Sequence, residues 1–256
     1  MSSIGTGYDL SCTTYSPDGR VFQVEYATKA VENASTVIGL RCKDGIILGV
    51  EKLIVNKLAY APANKRIYHV GENIGVAAAG LLADARALVS RFREEYDHFK
   101  EFNSTVITGR VLCGRVARFA HAYTLHSSVR PFGVTALLAS HSKENGPELF
   151  MIEPSGVAMR YFACAAGKGR QAARTELEKL DWMQLTAVEA VTHVIRILHI
   201  AHESNKEKPF DIDVSWICEQ SDYKHEFVPD HIFQEAQRAA LEALQPEDDF
   251  DDEMED

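Results

Sequence analysis

Two histidines three residues apart, His199 and His202, lie on a stretch whose apolar residues keep helical spacing. Both imidazoles can then face one side and share a metal ion. The same side continues the stripe Val188, Val191, Ile195 and Leu198, and no third ligand accompanies the pair. Packed histidines are the plainer reading, and no metal site is expected. Gly167-Lys168-Gly169-Arg170 has the glycines and cation of a phosphate cradle. It lacks the glycine five residues earlier and the Ser or Thr after the lysine that a P-loop requires, so it reads as a basic helix start. The cysteines at 12, 42, 113, 164 and 218 are odd in number and have no paired spacing. They argue against a zinc site or a disulfide framework and fit a reducing compartment. No cofactor is expected.

The charge balance excludes further classes. The net charge is −10, but Glu247 to Asp256 hold eight acids and no base. Without those eight, 29 acids face 27 bases. The globular part is nearly neutral and gives no basis for nucleic-acid binding. The acidic end, 246–256, carries only Phe250 and Met254 as apolar residues, and disorder is expected for it. No apolar run approaches the ~18 residues of a membrane span, and no secretory signal is visible. The sequons at Asn33 and Asn103 are therefore read as chance matches.

The elements that must position any site follow from periodicity. Thr36–Cys42 and Ile46–Val50 flank Lys43-Asp44-Gly45 as a hairpin, the second run apolar on both faces. Arg66–Val70 and Ile74–Ala79 form a second pair. Leu81, Ala85, Leu88, Phe92, Tyr96 and Phe99 mark one helical stripe, and Leu112, Val116, Phe119 and Tyr123 another. Strands are expected at Gly133–Ser140, Leu149–Ile152 and Val157–Cys164. Helices are expected at about Lys168–Leu180 and Ala187–His202, the latter opened by a Thr186/Glu189 capping box. Ile212, Val214, Trp216 and Cys218 alternate as a half-buried strand. A last helix starts near Pro229 and stops at Pro246. Layering of these faces suits two antiparallel sheets with helices outside.

Upstream lies Tyr15-Ser16-Pro17-Asp18-Gly19-Arg20-Val21-Phe22-Gln23-Val24-Glu25-Tyr26-Ala27. Pro17 and Asp18-Gly19 are turn chemistry. The helix that follows has two apolar faces, Phe22/Tyr26/Ala30 and Val24/Ala27/Val31, and so needs two surfaces to bury against. One can be its own domain and the other a neighbouring subunit. This unbroken segment resembles the N-terminal signature of proteasome alpha subunits. The likeness continues through Met1–Leu10, Asn64-Lys65-Arg66, Gly80–Arg86 and Val129-Arg130-Pro131-Phe132-Gly133, and so covers most of the chain.

The resemblance implies an α+β fold: a four-layer α-β-β-α sandwich of the N-terminal-nucleophile hydrolase type with an extra N-terminal helix. One domain over 15–245 would follow a mobile gate tail, 1–14, and precede the acidic tail. It implies a structural and gating subunit of a heptameric ring in ubiquitin-dependent protein catabolism, in cytoplasm and nucleus. Partners would be neighbouring alpha subunits, the beta ring, and an ATPase regulatory particle or other activators docking by their C-terminal tails. Tyr8, Asp9, Pro17 and Tyr26 match the gate cluster of similar subunits. Leu10 stands where many of them carry Arg, which removes a cationic partner for a neighbour's Asp. Lys65 or Arg66, with Gly80 and Leu81, match the pocket that receives an activator's carboxylate, a task for a cation and backbone N–H groups.

Catalytic relatives of the family use a self-cleaved N-terminal Thr whose amine serves as base. The matching place here is Ser35-Thr36, with Glu51 for the acid partner and Lys65, by loose alignment, for the nearby base. Processing at Ser35 or Thr36 would make an active hydrolase, the alternative reading. It would also remove the signature helix, and Ala34 stands where a self-processing junction expects Gly. A non-catalytic subunit is the expectation, with Ser35, Thr36, Glu51 and Lys65 as ordinary polar residues at strand ends.

Overall fold

The computed structural model describes residues 7–54, 56, 58, 60, 63–202 and 209–244. The first six residues, Pro246 and the acidic tail lie outside them.

After the turn at Ser16–Arg20, helix α1 spans Phe22–Glu32, and strands β1 (Val37–Arg41) and β2 (Gly45–Leu53) form the first hairpin. Strands β3 (Ile67–Gly71) and β4 (Ile74–Gly80) lead into helices α2 (Leu82–Asn103) and α3 (Gly109–Ala122). Strands β5 (Val134–Ser142), β6 (Gly146–Ile152), β7 (Ala158–Tyr161) and β8 (Ala163–Ala166) follow. Helices α4 (Arg170–Glu178) and α5 (Ala187–His202), strands β9 (Phe210–Cys218) and β10 (Glu226–Phe227), and helix α6 (Asp230–Glu242) complete the order.

All pairings are antiparallel. One sheet runs β10-β9-β2-β1-β8 and the other β3-β4-β5-β6-β7. Helices α4, α5 and α6 cover the first sheet through Ala173, Leu177, Val194, Leu198, Ala236 and Ala240. Helices α2 and α3 cover the second through Leu88, Phe92, Leu112 and Val116. A third core, with Val37, Leu48, Ala77, Leu137 and Leu149, lies between the sheets. This is the expected α-β-β-α layering, and it explains why β2 is buried on both faces.

Two expectations are corrected. The strand read as Val157–Cys164 is two strands, and they belong to different sheets: β7 pairs with β6 and β8 with β1. At the break, the carbonyl of Phe162 accepts from Arg41 N–H at 2.8 Å. A continuous run of strand formers hides such a crossover, because neither period nor propensity changes there. The strand over 210–218 is not half-buried in its second part: Ser215 and Ile217 are fully covered by the other sheet. Helix α1 buries Phe22, Ala27 and Val31 within the chain and leaves Tyr26 exposed, so burial draws on both apolar faces and the Phe22/Tyr26/Ala30 face is only partly covered.

The capping box is present: Glu189 N–H donates to Thr186 Oγ1 at 3.4 Å and Thr186 N–H to Glu189 Oε2 at 2.9 Å. Thr186→Ala is expected to lower the thermal midpoint by about 2–4 °C, as loss of an N-cap does in a domain of this size. Differential scanning calorimetry checks this, and an unchanged midpoint removes the cap from the account.

Candidate functional site

Three places bear on function, and each is built by a different part of the fold. The first is where α1 passes into β1. Ser35 and Thr36 are buried there. Thr36 N–H donates to Glu51 Oε2 at 2.9 Å, and the ring N–H at His202 Nδ1 donates to Glu51 Oε1 at 2.6 Å. Gly169 N–H donates to Thr36 Oγ1 at 3.1 Å, and Lys168 N–H to the Ala34 carbonyl at 2.8 Å. Gly167 makes this close approach possible. Its φ is +104°, and a Cβ would come within 2.5 Å of the Ser35 carbonyl.

The arrangement places the expected nucleophile and acid partner side by side, yet it cannot work as an N-terminal nucleophile. Thr36 N is a peptide amide whose lone pair is delocalised into the Ser35 carbonyl, so it has no basicity to offer. Its N–H is already given to Glu51. The space bounded by Ala34, Ser35, Thr36, Glu51, Lys168 and Gly169 measures about 10 Å³, roughly one water and far less than a peptide needs. Lys65 does not bound this space, and the lysine that does is Lys168. Glu51 is not a solvated strand-end charge but a buried acceptor for two elements. His202 was legible only as a packed histidine: it stacks on Phe210 with centroids 3.8 Å apart, and His199 meets the same ring edge-on at 5.2 Å. The two imidazoles bracket a phenyl ring. Among the described residues no group of three or more potential metal ligands assembles.

The second place is the N-terminal turn. Ser16 N–H donates to the Arg20 carbonyl and Gly19 N–H to the Ser16 carbonyl, each at 2.9 Å, closing the turn over Pro17. Gly19 adopts φ +74°, which an L side chain rarely takes. Tyr26 Oη–H donates to Asp9 Oδ2 at 3.4 Å, and Gln23 Nε2–H donates to the Asp9 carbonyl. Desolvation and the neighbouring Asp9 carboxylate hold the Tyr26 phenol above its usual range. Tyr8 is exposed and contributes no described contact to this group. Cys12 is buried, its thiol donating to the His126 carbonyl at 3.0 Å and so fixing the segment onto the loop that follows α3. Leu10, Tyr15 and Tyr26 are exposed beside it.

The third place is the turn from β4 into α2. Arg66 Nη1 donates to the Gly80 carbonyl at 2.8 Å, and burial holds its guanidinium below the usual range. Lys65 is exposed and makes no ion pair among the described residues, while its carbonyl accepts from Tyr68 Oη–H at 2.7 Å. Gly80 has φ +132°, with the Gly133 carbonyl 2.1 Å from where a Cβ would stand. Leu81 N–H donates to that same carbonyl at 2.9 Å, and the Leu81 side chain is half exposed. Arg66 reaches the Gly80–Leu81 turn through its Nη1 hydrogen bond while its Nε is buried without a partner among the described residues, and Lys65, one residue earlier, is exposed.

Residues 31–217 match the family described as proteasome subunit, and residues 8–30 match the N-terminal signature of A-type proteasome subunits. The chain is 50% identical to the alpha type-3 proteasome subunit of Acanthamoeba castellanii, over 98% of this chain and 99% of that one. It is 48% identical to the protein of the same name from Arabidopsis thaliana, over 97% and 99%. It is 46% identical to the probable alpha type-7 proteasome subunit of Saccharomyces cerevisiae, over 97% and 88%.

Proposed function

The chain belongs to the proteasome alpha-subunit family, and from that premise we propose that it is a structural, non-catalytic wall of the 20S alpha ring that also helps to gate the channel and to receive activators. The observation that carries the non-catalytic role is the Thr36–Glu51–His202 node. It occupies the nucleophile's place with a mid-chain amide and closes it to about one water. Its partners are the neighbouring alpha subunits and the beta ring, and peptide-bond cleavage belongs to other chains of the particle.

Gating rests on Tyr8, Asp9, Pro17 and Tyr26. The closed turn at Pro17 and the Tyr26–Asp9 hydrogen bond support that reading, since they couple the segment before the helix to the helix itself. Docking of an activator's C-terminal carboxylate rests on Lys65, because Arg66 is already committed to Gly80. An ATPase regulatory particle is the kind of partner this would serve, in cytoplasm and nucleus.

Two mass measurements test the proposal. Intact mass of the chain from its native source is expected to retain the residues before Ser35, and a mature N-terminus at Ser35 or Thr36 establishes a hydrolase instead. Native mass is expected to show a particle many times the 28.5 kDa chain. A lone monomer overturns the ring role.

A further inference from the structure

Asp84 and Arg130 are farther from the docking turn in sequence than in hydrogen bonds. Arg130 Nη1 and Nη2 donate to the two carboxylate oxygens of Asp84 at 2.6 and 2.8 Å. Gly133 N–H donates to Asp84 Oδ2 at 2.8 Å. The carbonyl of Gly133 then accepts from Leu81 N–H, and the Gly80 carbonyl accepts from Arg66. The chain Arg130–Asp84–Gly133–Leu81–Gly80–Arg66 therefore runs without a gap around the turn. Both the N–H of Leu81 and the carbonyl of Gly80 are pinned by it.

The electrostatics give this chain a second task. Asp84 is buried, with 8% of its surface exposed, in the first turn of α2 and two hydrogen bonds from the turn that would receive a carboxylate. An uncompensated anion there would repel an incoming carboxylate. The fork of Arg130 cancels that charge in the geometry best suited to a carboxylate. We propose that Arg130 is a positioning residue for activator docking: it neutralises Asp84 and, through Gly133, holds the Gly80–Leu81 turn so that Lys65 dominates the local field. The inference rests on the docking reading above.

The test uses the fully assembled particle carrying Asn64→Cys in this chain. A short peptide whose one cysteine carries a thiopyridyl disulfide is offered with a free C-terminal carboxylate or as its amide; the thiolate at residue 64 displaces pyridinethione, and capture is measured by mass. Wild type is expected to capture the acid in preference to the amide. Arg130→Gln is expected to reduce capture of the acid about fivefold or more, within the range of coupling between neighbouring charged sites. The double variant Asp84→Asn with Arg130→Gln removes both charges, leaves an acceptor for Gly133 N–H, and is expected to restore capture. A purely structural ion pair predicts the reverse, with the double variant no better than the single. If Arg130→Gln fails to assemble, Arg130→Lys takes its place: retained capture supports charge neutralisation, and lost capture overturns it. Equal capture of acid and amide by wild type overturns the docking reading and this inference with it. Carboxylate-dependent capture that Arg130→Gln leaves unchanged, or that the double variant does not restore, overturns this inference alone.

Discussion

Glu51→Ala is expected to cost about 2–5 kcal/mol of folding stability, from about 1–3 kcal/mol for each of two buried groups left without a hydrogen-bond partner. The residue is 3% exposed and accepts from two partners, Thr36 at the head of β1 and His202 on α5. Its loss leaves Thr36 N–H without an acceptor at the head of β1 and His202 Nδ1 without one on α5. Glu51→Gln keeps one carbonyl oxygen for Thr36 N–H, and its cost is expected to be smaller. Urea denaturation of both variants, read at constant slope, separates the two cases. If Glu51→Ala unfolds at the wild-type midpoint, the node is not a structural tie. The same experiment bears on function, because a residue kept for catalysis need not stabilise the fold.

The second large effect depends on pH and lies between β3 of one sheet and β9 of the other. His225 is 5% exposed and joins the two sheets. Its Nδ1 meets Nδ1 of His69 on β3 at 2.8 Å, its Nε2 meets Ser215 Oγ on β9 at 2.9 Å, and its backbone N–H donates to the Glu72 carbonyl at 2.7 Å. Gly75 on β4 leaves the room, since a Cβ there would fall 2.2 Å from the imidazole. Phe227 packs against the His69 ring, and Arg93 from α2 donates to the His69 carbonyl. Burial, reinforced by the His69 ring, pushes His225 down to about 3.

The unfolded chain takes up this proton near pH 6.5 and the folded chain does not. Stability from His225 is therefore fully present above about pH 6.5. It is lost as the pH falls towards 3, at up to about 1.4 kcal/mol per pH unit, and levels off below. His225→Gln is expected to lower stability at pH 7.5 and to flatten that decline. Denaturation midpoints from pH 7.5 to 4 measure both effects. A variant that loses stability as steeply as wild type over that range removes His225 from the account.

How much of this was legible in the sequence depended on the range of the signal. Local periodicity sufficed for α2, α3, α5 and the first hairpin, because one face of each is buried and the pattern follows the face. Thr186 and Glu189 announced their cap three residues apart. The β7–β8 crossover at Phe162 was not legible, since the change of sheet lies in the partner strands and leaves no mark on the run itself. The candidate site divided in the same way. Ser35, Thr36 and Glu51 could be placed together through the family resemblance. The partners of Glu51 and of the docking turn could not, because His202 is 151 residues from Glu51 and Asp84 is 46 from Arg130. A contact of that span has no period. The glycines gave a weak hint: Gly75, Gly80 and Gly167 each stand where another backbone or ring comes too close for a Cβ.

The strand order of the first sheet has a consequence for how the protein is made. Strands β1 and β2 lie at its centre, flanked by β8 and β9, with Ile38 beside Ala165 and Ile47 beside Trp216. The first hairpin leaves the ribosome long before either neighbour. At 5–20 residues per second it waits on the order of ten seconds with both edges unpaired and both faces apolar. A nascent strand pair of this kind is a ready template for aggregation until β8 and β9 arrive to cover its edges.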